Sequence, residues 1–263
     1  MYFALAASLI LPVKVVAPVG DDGAKRVAQA FSGHPIDTEL LQILDAPTYR
    51  WRARQEHGRN VDLGSRDNIY DSWSPAPPEG FTGWAFVGSM RPDRQAQVME
   101  TLGGAQLLAA DAMLSYVHAQ PPESRDVLRR AGWYFCNREE FAALGGSDPD
   151  EFRRQWWLQG LVLKEGAQGL AAYIDDGMVR VPALTDREVV DTTGAGDALA
   201  GGMLARWLST GGQRGGLQDA LVWGVACASI TISAVGVKGI AKASVEELSE
   251  RVAEVEECMR RES

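Results

Sequence analysis

The stretch from Val189 to Leu208 combines a small acidic turn with an apolar helical pattern. Residues 191–197 read Asp-Thr-Thr-Gly-Ala-Gly-Asp, and apolar side chains then recur at helical spacing up to Leu208. The β-branched pair Val189 and Val190 before them predicts a short strand. We therefore expect a strand, a turn and a helix, with the Gly-Ala-Gly triplet in the first turn of the helix.

Asp197 is a carboxylate at a position where the chain should attract negative charge. The first turn of a helix has unpaired N–H groups and the positive end of the helix dipole, so it favours anions. There Asp197 should stay ionised and able to accept a proton. The same residues also fit a purely structural role, in which Thr192 or Thr193 caps the helix and Asp197 complements its dipole.

Residues 191–202, Asp-Thr-Thr-Gly-Ala-Gly-Asp-Ala-Leu-Ala-Gly-Gly, resemble the signature of the ribokinase-like (PfkB-type) carbohydrate kinases nearly residue for residue. The resemblance implies an ATP-dependent phosphotransferase that phosphorylates a hydroxyl of a sugar or a related small polar acceptor. Asp197 would be the base, and the backbone N–H groups of Gly194, Ala195 and Gly196 would stabilise charge on the transferred group. Two alternatives are a nucleoside kinase of the same fold and a truncated nucleotide-binding paralogue without catalytic activity.

Length and composition limit the class of protein. The chain has 263 residues, 46% of them hydrophobic and 23% charged, which is typical of a soluble globular protein. We expect a single ribokinase-like domain over residues 1–263. The net charge of −9 argues against nucleic-acid binding, and no apolar run approaches the roughly twenty residues needed to span a membrane. Three widely spaced cysteines suggest a reducing cytoplasm.

From Gly83 onward the pattern alternates between strands and helices. Strands are expected at 84–89, 106–111, 133–136 and 161–164, helices at 91–102, 122–131 and 138–144, and a hairpin over 170–181. This alternation favours an α/β fold, a mostly parallel sheet covered by helices on both faces, which is the three-layer α/β/α Rossmann-like arrangement of the family. Ligands bind at the carboxyl ends of such strands. We expect four side chains there: Asp111, Asn137, Lys164 and Asp191.

Asn137-Arg138-Glu139-Glu140 resembles the Asn-x-x-Glu motif of the family. At the start of a helix, Asn137 and Glu140 lie one turn apart on one face. They could share a hydrated Mg²⁺ ion or a phosphate-bound water. The same spacing fits an N-cap with a capping-box glutamate, so both interpretations stay open.

Residues 161–169 form an apolar run followed by a turn with two glycines. The resemblance implies that this turn lies along the nucleotide phosphates, with Lys164 at its start and Gly166 and Gly169 within it. A hairpin corner with Lys164 paired to an acid would look the same. The resemblance also implies a monovalent cation such as K⁺ near Asp191 and Thr193.

An apolar helix is expected over Leu217–Ile232, followed by a small, glycine-containing loop. The resemblance implies that this helix and loop hold the adenine of ATP. Ala226 and Ser229 would leave room for the ring, Gly236 would lie in the loop, and Thr192 is assigned to the same nucleotide site. Core packing explains the same composition without a ligand.

The first seventy residues should contain a helix over Tyr2–Leu11, a strand over Val13–Val19, a helix over Ala24–Phe31 and a lid segment near residues 45–72. Within the lid, Thr48–Gln55 alternates between apolar and basic side chains.

The basic face of this strand includes Arg50 and Arg52, which would either face solvent or present guanidinium groups to an anionic or hydroxyl-rich acceptor. The full-length family has a further N-terminal strand, more of the lid and a Gly-Gly motif, which are expected to be missing here. Such kinases often pair through their lids, so a homodimer is also an expectation.

Overall fold

The computed structural model describes residues 1–56 and 59–262, which fall into two compact units. Unit 1 contains Met1–Ile69, Gly166–Gly169 and the chain from Val181 onward. Unit 2 contains Tyr70–Glu165 and Leu170–Arg180. The expectation of a single domain stays a prediction.

The strands and helices follow in chain order. The strands are β1 Val13–Lys14, β2 Ala17–Gly20, β3 Ile36–Asp37, β4 Leu41–Leu44, β5 Arg50–Glu56, β6 Arg59–Arg66, β7 Trp84–Val87, β8 Leu107–Asp111, β9 Trp133–Asn137, β10 Gly160–Lys164, β11 Leu170–Ile174 and β12 Gly177–Val181. The helices are α1 Tyr2–Ser8, α2 Asp21–Phe31, α3 Pro92–Thr101, α4 Leu114–Ala119, α5 Pro121–Arg130, α6 Arg138–Ala143, α7 Pro149–Gln155, α8 Ala195–Ser209, α9 Leu217–Thr231 and α10 Val245–Glu262.

Unit 2 is built on a six-stranded sheet in the order β12-β11-β10-β9-β8-β7. Strands β7 to β10 are parallel, and β11 is antiparallel to β10. The middle strands are buried apolar runs, because helices cover such a sheet on both faces. The expected mostly parallel sheet is confirmed.

Three of the four polar side chains expected at strand ends lie at one edge of this sheet. Asp111, Asn137 and Lys164 are the last residues of β8, β9 and β10. Asn137 is directly opposite Lys164 in the register of the parallel pair. Parallel strands run in the same direction, so the last residues of β8, β9 and β10 all lie at the carboxyl edge of the sheet.

Unit 1 is organised around α8 and α9, which pack against each other and against α1 and α10. Small residues allow these helices to approach closely. A Cβ atom on Gly224 would lie 2.7 Å from the carbonyl oxygen of Leu199, and a Cβ atom on Gly201 would overlap the backbone of Phe3. Glycines after the acidic turn therefore serve helix packing.

The predicted strand at Val189–Val190 is wrong. These residues form a loop, in which the side chains are 49% and 37% exposed. The N–H groups of Val190 and Asp191 donate to the carbonyl oxygen of Ile232 at 2.8 and 3.2 Å, so the loop is attached to the end of α9 instead of to a sheet. Asp191 is consequently not at a strand end.

The N-terminal elements also differ from the prediction. The single expected strand is divided into β1 and β2, which pair in parallel with β3 and β4, two strands that no sequence pattern indicates. Helix α2 begins at Asp21 instead of Ala24, because Gly20 is already its N-cap. Helix α1 ends at Ser8, three residues earlier than expected.

The lid segment contains an antiparallel pair, β5 and β6, with a register shift between Trp51 and Ala53. Arg50 and Arg52 are exposed, and Trp51 and Ala53 are partly buried, so the predicted alternation is confirmed for these residues. Within the described chain, no helix combines the length and the apolar character needed to cross a bilayer.

Candidate active site

Helix α8 begins at the acidic turn as predicted. Gly194 is its N-cap and has a φ of 78°, in the left-handed region that favours glycine. A Cβ atom there would also overlap the ring of Tyr2. Gly194 is thus required both by the backbone conformation and by the aromatic ring packed against it.

The first turn of α8 leaves donors available. The N–H of Ala195 makes a long hydrogen bond of 3.3 Å to the carbonyl oxygen of Thr192. In the described part of the chain, the N–H groups of Gly194 and Gly196 have no protein acceptor. Backbone donors at a helix N-terminus bind anions, so these two amides are the better candidates of the triplet.

Asp197 lies in the same turn and is partly exposed. None of the described residues forms a hydrogen bond or an ion pair with its carboxylate. A carboxylate that is partly shielded from water and not paired can accept a proton from a ligand.

Tyr2 lies beside the candidate site, and no sequence motif indicates it. Burial, and then the negative charges of Asp191 and Asp197, raise the pKa of its hydroxyl to about 12. The phenol is therefore neutral at physiological pH and close to both carboxylates. From sequence, Tyr2 shows only as part of an apolar helix.

Asp191 is held by backbone donors from two distant segments. Its Oδ1 accepts the N–H of Thr193 and its Oδ2 accepts the N–H of Gly236, both at 2.9 Å. Partial burial alone would raise the pKa of this carboxyl, but the hydrogen bonds from Gly236 and Thr193 lower it overall. The structure thus brings Asp191, Thr193 and Gly236 together.

Asn137 and Glu140 form a capping box at the start of α6. The Oδ1 of Asn137 accepts the N–H groups of Glu139 and Glu140 at 2.9 and 2.8 Å, and Glu140 Oε2 accepts the N–H of Asn137 at 2.8 Å. Glu140 is buried, and this burial raises its pKa, whereas the charge of Lys164 opposes the rise. The local role expected from this spacing is confirmed.

The remaining residues assigned to the phosphates lie around the end of β10. Lys164 is close enough to Glu140 for their charges to interact. Gly166 has a φ of 60° with open space around it. Gly169 has a φ of 85°, and a Cβ atom there would overlap the carbonyl oxygen of Val181. Both glycines are therefore required by the backbone.

Two residues assigned to the adenine, Ala226 and Ser229, are buried within unit 1. Ala226 has no exposed surface, and Ser229 is 5% exposed. The Ser229 hydroxyl accepts a hydrogen bond from Arg251 at 3.3 Å. Their small size suits these buried positions in α9, and their assignment to the adenine stays a prediction.

Arg50 is paired at the base of the lid. Its Nη2 donates to Asp22 Oδ2 at 2.5 Å, and Thr48 donates its N–H and hydroxyl to Asp22 Oδ1 at 2.9 and 2.5 Å. These bonds lower the pKa of Asp22 to about 2, and the bonds from Thr48 have the largest effect. The guanidinium of Arg50 therefore holds the lid strand; Arg52 is exposed beside it.

Residues 85–243, more than half of the chain, match the model of the pfkB family carbohydrate kinases. The chain belongs to this family. It is accordingly an ATP-dependent phosphotransferase with a hydroxyl group as acceptor, and ATP with Mg²⁺ is what the family uses. The resemblance seen in the acidic turn is confirmed.

Similar proteins of known activity include two archaeal kinases. The ATP-dependent ribose-1-phosphate kinase of Halopiger xanaduensis is 26% identical over 245 residues, covering 89% of this chain and 79% of that protein. The cytidine kinase of Thermococcus kodakarensis is 28% identical over 207 residues, covering 73% of each.

Solved structures confirm the fold. The nucleoside kinase of Burkholderia thailandensis in complex with inosine has a TM-score of 0.77 at 19% identity, covering 96% of this chain and 84% of that one. The aminoimidazole riboside kinase of Salmonella enterica, complexed with its riboside and an ATP analogue, has a TM-score of 0.74 at 20% identity, covering 95% and 90%. The ribokinase-like three-layer α/β/α fold is therefore established.

Proposed function

We propose that this kinase transfers the γ-phosphoryl group of ATP to a hydroxyl of a ribose-containing acceptor, a nucleoside or a pentose derivative, with Asp197 as the general base. The observation that carries the proposal is the N-terminus of α8. There a partly exposed carboxylate that forms no hydrogen bond or ion pair with the described residues lies in one turn with the donors of Gly194 and Gly196.

Asp197 accepts the proton of the attacking hydroxyl as its oxygen bonds to phosphorus and the bond to the β-phosphate oxygen breaks. The N–H groups of Gly194 and Gly196 stabilise the negative charge on the transferred group. Phosphoryl transfer depends mainly on positioning and charge stabilisation, which fixed backbone donors supply without reorganisation. Ala195 contributes less, because its N–H is partly engaged by Thr192.

The magnesium ion neutralises charge on the triphosphate when it is bound. Asn137 and Glu140 fit such an ion only through water, because their described oxygens already accept backbone N–H groups. The described residues contain no group of three or more His, Cys, Asp or Glu side chains that could hold a metal directly. Lys164, Gly166 and Gly169 belong to the proposed phosphate site, and Thr192 to the proposed nucleotide site.

Asp191 and Thr193 are proposed to lie beside a monovalent cation such as K⁺. The depressed pKa of Asp191 keeps its carboxylate negative, which suits a cation. Turnover in K⁺ well above that in a large organic cation supports this assignment, and equal rates contradict it.

The similarity to the ribose-1-phosphate and cytidine kinases supports a ribosyl acceptor. Ribose 1-phosphate and cytidine, the acceptors in the names of those kinases, both contain a furanose with free hydroxyl groups. A panel of nucleosides, ribose, ribose 1-phosphate and fructose 1-phosphate, assayed by ADP release, tests the class. Turnover with a hexose phosphate and none with ribosyl compounds contradicts it.

Asp197→Asn tests the base. We expect turnover to fall by about 10²–10⁴-fold, while the dissociation constant of ATP, measured by calorimetry, stays close to wild type. Asp150→Asn is the matched control, because Asp150 is also a partly exposed first-turn aspartate, in α7. Undiminished turnover of Asp197→Asn refutes the assignment.

A further inference from the structure

Glu165 is a buried carboxylate next to the proposed phosphate site. It follows Lys164 directly, and its side chain is only 2% exposed. Arg138 donates to its Oε1 and Arg180 to its Oε2. A buried carboxylate is tolerated when both oxygens are paired with donors, so these contacts explain why Glu165 can lie there.

The guanidinium groups of Arg138 and Arg180 keep N–H donors that Glu165 does not bind. Their side chains are 55% and 47% exposed, and each makes one hydrogen bond to the carboxylate out of the five N–H donors that a guanidinium has. Within the described residues, neither of them has a second carboxylate partner. Two positive charges and one negative charge leave the cluster at +1, in a chain whose net charge is −9.

The cluster lies at the carboxyl edge of the sheet of unit 2. Arg138 follows Asn137 at the end of β9, and Glu165 follows Lys164 at the end of β10. Arg180 is near the end of β12. A hairpin turn joins β11 to β12, so β12 runs in the same direction as β10. Ligands of α/β sheets bind outside this edge.

We propose that Arg138 and Arg180 bind the phosphate groups of the nucleotide, and that Glu165 is a positioning residue that holds both guanidinium groups in place. A guanidinium matches two phosphate oxygens with its planar fork, and it loses less freedom on binding when a partner already fixes it. This inference rests on the proposed function, because it takes the nucleotide phosphates to lie at this edge.

Arg180→Gln tests the phosphate contact. We expect the KM and the dissociation constant of ATP to rise roughly 10-fold, since a charge-assisted hydrogen bond is lost, with the KM of the acceptor unchanged. Arg130→Gln is the matched control, because it removes the same charge from the same unit, and among the described residues the ion-pair partner of Arg130 is Asp126 on α5. An unchanged ATP constant for Arg180→Gln overturns the proposal.

Glu165→Gln separates positioning from simple electrostatics. The substitution raises the charge of the cluster from +1 to +2, so the electric field alone would tighten ATP binding. Loss of positioning predicts the opposite, a dissociation constant that is several-fold weaker. Tighter or unchanged ATP binding, with or without a lower melting temperature, overturns the positioning role.

Direct ATP binding keeps this inference separate from the proposed function. If the wild-type protein binds ATP but phosphorylates no ribosyl compound, the proposed function fails, and the ATP constants of the variants still decide the role of the cluster. If Glu165→Gln does not fold, the ATP dissociation constants of Arg138→Gln and Arg180→Gln decide whether the cluster binds the nucleotide. These two substitutions alter half-exposed side chains. Wild-type protein that binds no ATP refutes both.

Discussion

The clearest test of how the active-site turn is built is Gly194→Ala. Gly194 has a φ of 78°, and the ring of Tyr2 occupies the space that a Cβ atom on Gly194 would need. An L-residue in the left-handed region costs about 1–2 kcal/mol. The displaced ring adds an overpacking cost of about 1–3 kcal/mol. Together these predict a loss of roughly 2–5 kcal/mol of unfolding free energy.

Thermal unfolding measures this loss. For a chain of this size each kcal/mol shifts the melting temperature by about 2–4 °C, so Gly194→Ala should melt roughly 4–20 °C lower. Gly33→Ala is the matched control, because Gly33 has a φ of 84° but no atom within 4 Å of its Cβ position. The control should lose only the conformational part, about 1–2 kcal/mol.

The same variant tests the donor role of the turn. If Tyr2 and the new methyl group displace the N–H of Gly194, turnover should fall by about 10²–10³-fold, the usual effect of losing one charge-stabilising donor. The double variant Tyr2→Ala/Gly194→Ala should recover the steric part of the stability loss. Gly194→Ala that melts like Gly33→Ala and keeps full turnover refutes the reasoning.

Three further predictions concern carboxylates and a helix cap. The pKa of Asp22 in the folded protein, about 2, is below its unfolded value, so its stabilising effect is present above pH 4 and lost as the pH falls towards 2. In urea melts, Asp22→Asn should therefore destabilise the protein at pH 7 and much less at pH 2; an equal loss at both pH values contradicts the prediction. Asn137→Ala should cost about 0.5–2 kcal/mol, and Asn137→Asp, which keeps the cap, should restore most of it. Asp191→Asn leaves one of two backbone N–H groups without an acceptor, so the free energy of unfolding should fall by about 1–3 kcal/mol. Any stimulation of turnover by K⁺ should also be lost. A variant as stable as the wild type would show that these hydrogen bonds contribute little.

Features that depend on neighbouring residues could be predicted from the sequence. The acidic turn and the apolar spacing after it predicted α8, and the spacing of Asn137 and Glu140 included the cap of α6 as one of its two interpretations. Buried runs between helices predicted the parallel sheet. Each of these follows from a periodicity or a capping preference that acts within a few residues.

Predictions failed where a partner from elsewhere in the chain was decisive. The β-branched pair Val189–Val190 has strand propensity, but the N–H of Val190 donates to the end of α9, and the described residues place no strand beside this pair. Strand propensity is a local property that tertiary contacts override.

The sequence by itself determined the family and its phosphoryl-transfer chemistry, because a contiguous motif carries both, and the same motif contains the proposed base. Only the tertiary structure decided which atoms support that motif. Tyr2 packs on Gly194, Gly236 donates to Asp191, and Arg180 reaches Glu165. These contacts join residues that are far apart in the chain, so they arise from the packing of whole elements, which no local pattern encodes.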